Sequence, residues 1–147
     1  MKQSRKVYLL ASMMAAASLA VQAQSKVVAQ ISNIRNDKGV CRVCLFDNAA
    51  AFKGESGAPL QCLHPGVKGG ASEAVFENVQ PGVYAIAVFH DANNNNQMDK
   101  NFLGMPKEGY GASGNKLPFA SAPGFDENKF RIGDKTTTTL RIRLRNL

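Results

Sequence analysis

Apolar and polar residues alternate with a period of two along much of the chain beyond residue 23. In the first such stretch, residues 26–34, Val27, Ala29 and Ile31 alternate with neighbours that include the polar Gln30. Because successive side chains of a strand point to opposite faces, this pattern predicts a half-buried β-strand. The same pattern predicts further strands at residues 40–46, 73–79, 83–90, 128–132 and 136–144.

Turn-forming residues separate the predicted strands. In the turn at residues 36–39, we expect Gly39 to adopt a positive φ. A Pro-Gly pair at positions 81–82 joins two strands that we therefore expect to form a hairpin. Residues 48–60 are rich in glycine and contain a proline, so they predict a loop with at most one helical turn, at residues 49–52.

About seven short strands without any amphipathic pattern of helical length indicate an all-β protein. We therefore predict a seven-stranded antiparallel β-sandwich of the immunoglobulin-like kind. One long stretch contains none of the predicted strands: a polar segment of 36 residues at positions 91–126. Connections longer than about 15 residues are uncommon in compact domains unless they are functional or held by something other than a core. This segment is therefore where we look for chemistry.

The first 23 residues have the pattern of a cleaved signal peptide. Lys2, Arg5 and Lys6 precede an apolar run that ends in the small-x-small sequence of residues 21–23. The run, at positions 7–21, is shorter than the roughly 20 residues that span a bilayer. We therefore favour cleavage over a transmembrane anchor.

Cleavage would leave residues 24–147 as a single β-sandwich domain, exported to the periplasm or secreted. The full chain has 147 residues and a net charge of +7, and loss of the leader lowers this charge to about +4. Part of the basicity therefore belongs to the leader. A multi-pass membrane protein, a cytosolic nucleotide enzyme and a genomic DNA-binding protein are disfavoured, so we expect no nucleic-acid partner and no transmembrane segment.

A candidate metal site lies at residues 91–99, whose sequence is DANNNNQMD. Oxygen-bearing side chains occupy relative positions 1, 3, 5 and 9, and position 7 offers a main-chain carbonyl. This is the ligand spacing of the first nine residues of a calcium loop, and hard oxygen ligands favour Ca²⁺ over softer metals. The expected ligands are Asp91, Asn93, Asn95, the carbonyl of Gln97, Asp99 and, if it folds back, Glu108.

Two positions depart from the calcium-loop pattern. Position 6 is Asn96 instead of glycine, which matters little because asparagine tolerates a left-handed backbone. Position 12 is Phe102 instead of a bidentate glutamate, so a full set of ligands requires Glu108. Two aspartates and this glutamate would give a charge of −3 and an affinity of about 10⁻⁴ to 10⁻³ M. The alternative is an asparagine-rich turn that caps its own backbone without an ion.

Two sequence blocks point to a known family. One is HDxNxN at residues 90–95, followed by Asp99, and the other is GxPxEGYG at residues 104–111. With these blocks, residues 26–147 resemble an uncharacterised family of exported bacterial proteins, a domain of unknown function. The hairpin at residues 76–84 also resembles one in transthyretin-like and peptidase-regulatory domains. The resemblance implies a seven-stranded prealbumin-like sandwich and export, and it implies no activity.

Two classes of function remain. The first is a non-catalytic binding or accessory module, in which calcium makes a rigid loop that recognises an unknown protein or carbohydrate. The second is a small periplasmic hydrolase or isomerase that uses His90 and Glu108, with Asp91, Tyr110 and Ser113 nearby. Because no catalytic sequence motif occurs and His90 ends a strand expected to be core, we favour the first.

The three cysteines can form one disulfide. Cys41 and Cys44 are three residues apart in a predicted strand, so they point to opposite faces and do not bridge each other easily. Export permits disulfides, so one of the two is expected to pair with Cys62. We favour Cys44 only slightly over Cys41, and we expect the remaining thiol to be buried and not reactive.

The last predicted strand alternates aliphatic residues with Arg141, Arg143 and Arg145. This row either protects a sheet edge or makes weak contact with an anionic envelope surface, and we favour edge protection. Four aromatic residues of the polar segment either stack on a sugar or form a small core under the loop. We favour the core for these residues, which are Phe102, Tyr110, Phe119 and Phe125.

Overall fold

Residues 24–147 contain eight short strands and two single-turn helices. The computed structural model describes residues 24–147, so the predicted leader lies outside the described residues. Within this range no helix is long and apolar enough to cross a membrane. The elements are β1 (Ser25–Ser32), β2 (Val40–Phe46), α1 (Ala49–Phe52), β3 (Gln61–Leu63), β4 (Ser72–Val79), β5 (Gly82–Asp91), β6 (Tyr110–Ala112), α2 (Phe125–Asn128), β7 (Phe130–Ile132) and β8 (Thr137–Arg143).

The strands form two sheets, as the sequence predicts for an all-β sandwich. One sheet has the order β4-β1-β8, and the other has the order β3-β2-β5-β6 with β7 also paired to β5. Two details differ from the expectation. Eight strands are present instead of about seven: six correspond to the stretches placed from the sequence, while β3 and β6 have only three residues each and their alternation is too short to recognise. The sheets are not purely antiparallel, because β8 pairs with β1 in parallel after a connection that runs through the rest of the domain.

The arginine-bearing strand β8 is an edge strand of the smaller sheet, and its edge is covered. Arg141 and Arg143 are exposed, while the Asn115 side chain binds the backbone of both residues. Its Nδ2 donates to the Arg141 carbonyl at 2.9 Å, and its Oδ1 accepts from the Arg143 amide at 2.9 Å. The Asn115 side chain thus binds backbone groups that a neighbouring strand would otherwise bind. The exposed arginines are the second feature expected to protect this edge.

The main core lies between the two sheets and contains the inward-facing positions of both. Val27, Ile31 and Phe76 come from the smaller sheet, and Val43 and Ile86 come from the larger one. All five side chains are at most 2% exposed. The alternation of β1 therefore buries the residues that the sequence pattern assigns to one face.

A second apolar cluster covers the outer face of the larger sheet. Phe46 of β2 contacts Phe52 of α1 with ring centroids 5.4 Å apart, and Phe52 contacts Phe125 of α2 at 5.9 Å, both edge to face. The expected helical turn at residues 49–52 is present, and Asn48 Oδ1 caps it by accepting from the Ala51 amide at 2.9 Å. Because this face is covered, side chains on both faces of β2 and β5 are buried.

The aromatic residues of the polar segment do not form a common core. Phe125 is buried in the second cluster, as expected for a core residue. Phe102 and Phe119 are 95% and 79% exposed, so the core prediction is wrong for these two. They lie in connections that turn away from both sheets.

The segment at residues 91–126 is not a structureless loop, since it contains β6 and the start of α2. Its second half is held by Asn128, which is 1% exposed. The Asn128 side chain accepts from the amides of Gly114 and Lys116 and donates to the carbonyls of Lys116 and Gly124. Asn128 ends α2, so β7 begins two residues later than predicted. The four hydrogen bonds of the buried Asn128 side chain thus fix the backbone of residues 114–124.

The disulfide joins Cys44 to Cys62, as favoured from the sequence. These residues face each other in the β2–β3 register with Cα atoms 4.1 Å apart. Cys41 lies on the opposite face of β2, is fully buried in the main core and is free. Burial raises the pKa of the Cys41 thiol to about 11, against a smaller opposing effect of a hydrogen bond with Ser72. The remaining thiol is therefore buried and protonated.

This pairing predicts the thiol chemistry of the protein. The native protein should show no reaction with a thiol reagent such as DTNB at pH 8, and one thiol should react after denaturation. Replacing both Cys44 and Cys62 by Ala should lower the free energy of unfolding by about 3 kcal/mol on the chain-entropy model. Cys41→Ala is the control, because it should abolish the single thiol signal while retaining the disulfide. Rapid labelling of the native protein would contradict the assignment.

Candidate functional site

The candidate site begins where β5 ends, at a carboxylate that is completely buried. Asp91 is on the outer face of the larger sheet, and its Oδ2 accepts from Arg42 Nε at 2.5 Å. The Arg42 side chain is 15% exposed. The alternation of β2 places Arg42 on the same face, opposite to the inward-pointing Cys41 and Val43. A buried carboxylate therefore has its counter-ion on the adjacent strand.

Backbone amides complete the surroundings of Asp91. The Asn95 amide donates to Asp91 Oδ1 at 3.1 Å, and the Asn96 amide donates to Oδ2 at 3.0 Å. Burial alone raises the pKa of Asp91, but the hydrogen bond from Arg42 and those from the two amides outweigh it, and the net pKa is lowered. The carboxylate is therefore ionised, and it fixes the turn of the chain that follows it.

The asparagines after Asp91 form successive side-chain turns. Asn93 Oδ1 accepts from the Asn95 amide at 3.2 Å, and Asn95 Oδ1 accepts from the Gln97 amide at 3.0 Å. Asn96 has φ 66°, so it takes the left-handed conformation expected of the sixth position of the loop. Each of these turns brings an alternate side chain back toward the chain, which is the arrangement that asparagine favours in turns.

The side chains of Asn93 and Asn95 meet the carboxylate of Asp99. Asn93 Nδ2 donates to Asp99 Oδ2 at 2.7 Å, and Asn95 Nδ2 donates to Asp99 Oδ1 at 2.8 Å. Four of the six expected ligands, including Asp91, therefore belong to one hydrogen-bonded group. The side chain of Gln97 is exposed, and the expected role of its carbonyl stays a prediction.

Glu108 folds back onto both ends of this loop. Its Oε1 accepts from the Ala92 amide at 3.1 Å, and its Oε2 accepts from the Asp99 amide at 3.1 Å. The Lys107 amide also donates to the Asp99 carbonyl at 2.8 Å. The glutamate that the sequence offers for the missing twelfth position thus lies against the loop.

The acidic groups are not packed tightly against one another. Across residues 24–147, no group of three or more His, Cys, Asp or Glu side chains is arranged to hold a metal ion. The donors gathered here are a mixture of carboxylates and amides. Arg42 is the participant that the sequence reasoning missed. The sequence pattern places Arg42 on the outer face of β2. Its proximity to Asp91, however, can be recognised only from the register between β2 and β5.

The proposed catalytic groups have structural partners. His90 is 3% exposed, and its Nε2 lies 2.6 Å from the Lys38 carbonyl. The Ser113 hydroxyl donates to the Asn128 carbonyl at 2.6 Å and accepts from the Ile86 amide at 2.9 Å. Both oxygens of Glu108 also accept from backbone amides, so His90, Ser113 and Glu108 each have a backbone partner.

Gly39 is in close contact with the start of the candidate loop. It has φ 64°, as expected from the turn sequence, and it lies directly against the backbone of Asp91. A Cβ atom at this position would lie 1.9 Å from the Asp91 carbonyl oxygen. Only glycine therefore lets the β1–β2 turn pack against the end of β5.

Comparison with family models gives a match over residues 29–140. It is to DUF2141, described as an uncharacterized protein conserved in bacteria. The chain belongs to this family. Searches of curated proteins and of solved structures found no match. The matched residues include the whole of the candidate loop and Glu108, and the family-level resemblance inferred from the sequence is confirmed. The family description assigns no activity.

Substitution of Gly39 tests the contact between the turn and the loop. Gly39→Ala should lower the free energy of unfolding by at least about 3 kcal/mol, since it adds a backbone clash to left-handed strain. Gly54→Ala is the matched control, because Gly54 has φ 72° and no heavy atom beyond its two chain neighbours lies within 4 Å of the position that a methyl group would take there. The control should lose only about 1 kcal/mol in urea denaturation. Equal losses for the two variants would show that the close approach is unimportant.

The lowered pKa of Asp91 predicts a stability that depends on pH. An aspartate whose pKa is lowered in the folded state adds stability above the unfolded value, 3.8 here, and that stability is lost as the pH falls through the folded pKa. Asp91→Asn should therefore be less stable than the parent by about 3 kcal/mol at pH 7. The difference should shrink below pH 3.8, because a protonated aspartate resembles asparagine.

The measurement is urea unfolding of both proteins at a series of pH values. Asp134→Asn serves as the control, since Asp134 is exposed in the turn before β8 and belongs to none of the ion pairs found in residues 24–147. A stability difference for Asp91→Asn that stays constant as the pH falls to about 2 would contradict the role of its charge.

Proposed function

We propose that the protein is an exported, non-catalytic binding or accessory module whose loop at residues 91–99 is organised by Ca²⁺. The observation that carries this proposal is the convergence of alternate oxygen-bearing side chains. Side-chain oxygens of Asp91, Asn93 and Asn95 each accept from a backbone amide of the loop. The Nδ2 groups of the two asparagines donate to the Asp99 carboxylate, so the four side chains lie together. Calcium loops use this alternate spacing because it directs oxygens to a single centre.

The donor set fits a hard cation. Carboxylate and amide oxygens are the ligands that Ca²⁺ takes in flexible geometry, and neither thiolate nor imidazole belongs to the proposed set. Glu108 is held next to Asp99 through the Asp99 amide, so a small side-chain movement would offer its carboxylate. On binding, the ion would replace the amide donors of Asn93 and Asn95 on the Asp99 carboxylate.

Arg42 lowers the affinity expected for the ion. It offsets the charge of Asp91, so two uncompensated carboxylates remain in place of the charge of −3 inferred from the sequence. Calcium binds more weakly when fewer negatively charged ligands surround it. We therefore expect a dissociation constant at the weak end of the range for extracellular modules, about 10⁻³ M. Such a site suits an environment with millimolar calcium.

Export and the prealbumin-like relationship belong to the same proposal. The leader pattern of residues 1–23 supports export, and the Cys44–Cys62 disulfide is typical of oxidising compartments. The two-sheet architecture with a Pro-Gly hairpin supports the prealbumin-like relationship. A catalytic role for His90 and Glu108 gains no support from their hydrogen bonds to the backbone.

Thermal unfolding in EDTA, in calcium and in magnesium tests the ion site. At about ten times Kd, a ligand that binds only the folded state adds about 1.4 kcal/mol, which raises Tm by about 3 to 6 °C in a domain of this size. Calcium up to about 10 mM should therefore produce such a rise, and magnesium should produce a smaller one.

Asp99→Asn is the informative variant because Asp99, unlike Asp91, belongs to none of the ion pairs among the described residues. It should need at least about ten times more calcium for the same rise, since one ligand charge is lost. Asp134→Asn, at the opposite end of the sandwich, should respond like the parent protein. A calcium response that Asp99→Asn leaves unchanged, or no response at about 10 mM, would refute the ion site and leave an asparagine-capped loop.

A further inference from the structure

Residues 100–106 form a small projecting hairpin, here called the finger, directly after the candidate loop. Lys100 and Pro106 form an antiparallel bridge at its base. The Asn101 amide donates to the Met105 carbonyl at 2.9 Å, and the Gly104 amide donates to the Asn101 carbonyl at 2.9 Å. The finger is therefore a defined structure and not an irregular connection.

The tip of the finger presents two large apolar side chains to solvent. Phe102 is 95% exposed and Leu103 is 71% exposed. Single exposed apolar residues are common on protein surfaces, but here two neighbours occupy the tip of one projection. Neither is buried by the described part of the chain, although both would gain from removal from water.

Most amide N–H groups of the finger are bonded within it. Asn101 Oδ1 accepts from the Leu103 amide at 2.9 Å and from the Met105 amide at 3.0 Å. Together with the amides of Asn101 and Gly104, four N–H groups of the finger are bonded internally. A turn in water can leave such groups to the solvent, whereas a turn that enters an apolar phase cannot. Four of the five N–H groups of residues 101–105 are already bonded, which lowers the cost of moving the tip of the finger out of water.

The exposed charges at the base of the finger are positive, whereas the neighbouring carboxylates of Asp99 and Glu108 are half-buried and accept hydrogen bonds within the candidate loop. Lys100 and Lys107 are exposed at its base, and residues 100–107 include no acidic residue. Neither lysine takes part in an ion pair within residues 24–147. Apolar side chains flanked by lysines are the arrangement that suits an anionic lipid surface, where ammonium groups meet head groups and apolar groups enter the acyl boundary.

We propose that the finger inserts Phe102 and Leu103 into the surface of an anionic lipid membrane, with Lys100 and Lys107 on the head groups. This proposal deepens the proposed function by naming the partner of the binding module, and it rests on the binding role but not on calcium. The hydrogen bonds of the finger lie within residues 100–106, so insertion does not require an occupied ion site. Two side chains make a shallow and reversible attachment.

A tryptophan placed at the tip tests insertion directly. The chain contains no Trp, so Phe102→Trp provides a single indole. The protein is purified from cells expressing the full sequence, its N-terminus is established by intact mass, and all samples contain EDTA. Vesicles of phosphatidylglycerol should shift the indole emission to shorter wavelength, and phosphatidylcholine vesicles should shift it much less.

Leu60→Trp is the matched control for position. Leu60 is 55% exposed and its amide donates to the Leu45 carbonyl, near the end of β2 that is remote from Asp91. Its emission should not change with either lipid. An equal shift at Leu60, or no shift at Phe102, would overturn the proposal.

Vesicle co-sedimentation separates the roles of the apolar and basic residues. Phe102→Ser combined with Leu103→Ser should weaken binding to phosphatidylglycerol vesicles by at least about tenfold. Lys100→Gln combined with Lys107→Gln should weaken it by several-fold and reduce its dependence on salt. Leu60→Ser should leave binding unchanged. If the tip variant binds as the parent does, the finger is not the attachment point.

Two other outcomes distinguish competing explanations. A blue shift of Phe102→Trp that grows with protein concentration without lipid would show that the tip packs against a second copy of the chain, and would overturn the lipid proposal. If the protein binds vesicles in EDTA but calcium does not raise its Tm, the role of the finger is supported and only the ion site is refuted. The two proposals can therefore fail separately.

Discussion

The ionised carboxylate of Asp91 at the end of β5 is the constraint on which the candidate site depends. A charge removed from water needs donors, and the neighbouring strand supplies only one of them, Arg42. The others are the amides of Asn95 and Asn96, which reach the carboxylate only if the chain reverses direction directly after β5. The conformation of the loop thus follows from the electrostatic needs of one buried group. Glu108 acts in the same way on the amides of Ala92 and Asp99.

In the segment between β5 and β7, charged and amide side chains therefore hold the backbone where the apolar contacts of Ala112 and Phe125 do not reach. Asn128 binds four backbone groups in its second half, and Asn101 organises the finger with one oxygen. The same principle accounts for residues that suggest catalysis from the sequence alone. His90 and Ser113 direct their polar atoms to backbone groups, as buried polar groups must. These two side chains thereby contribute hydrogen bonds to the backbone structure around the candidate loop.

The sequence predicted what local patterns determine. Alternation located β1, β2, β4 and β5, and the turn residues predicted the positive φ of Gly39. The opposite faces of Cys41 and Cys44 correctly argued against a bridge between these two and in favour of a bridge to Cys62. The spacing of the 91–99 loop also selected side chains that come together. What could not be predicted depends on register between distant strands.

Most of the missed features share this non-local origin. The approach of Arg42 to Asp91 requires the β2–β5 register, and the parallel pairing of β1 with β8 requires the whole topology. Phe102 is a different case, because its sequence context indicates only a missing calcium ligand or a core residue. Its position at the tip of the finger depends on the hydrogen bonds of Asn101, which no periodicity reveals.

The parallel pairing of β1 with β8 also determines the order in which the protein can acquire its structure. β1 is the central strand of its sheet, yet one of its two neighbours is the last strand of the chain, and the contact of Ser25 with Thr136 spans 111 residues. Ile142 and Leu144 enter the core only with that strand. A nascent chain therefore holds an unfinished sheet until β8 emerges, and closure of such distant contacts is slow. For the proposed export, this order is favourable, because a chain still crossing the membrane cannot yet complete its fold.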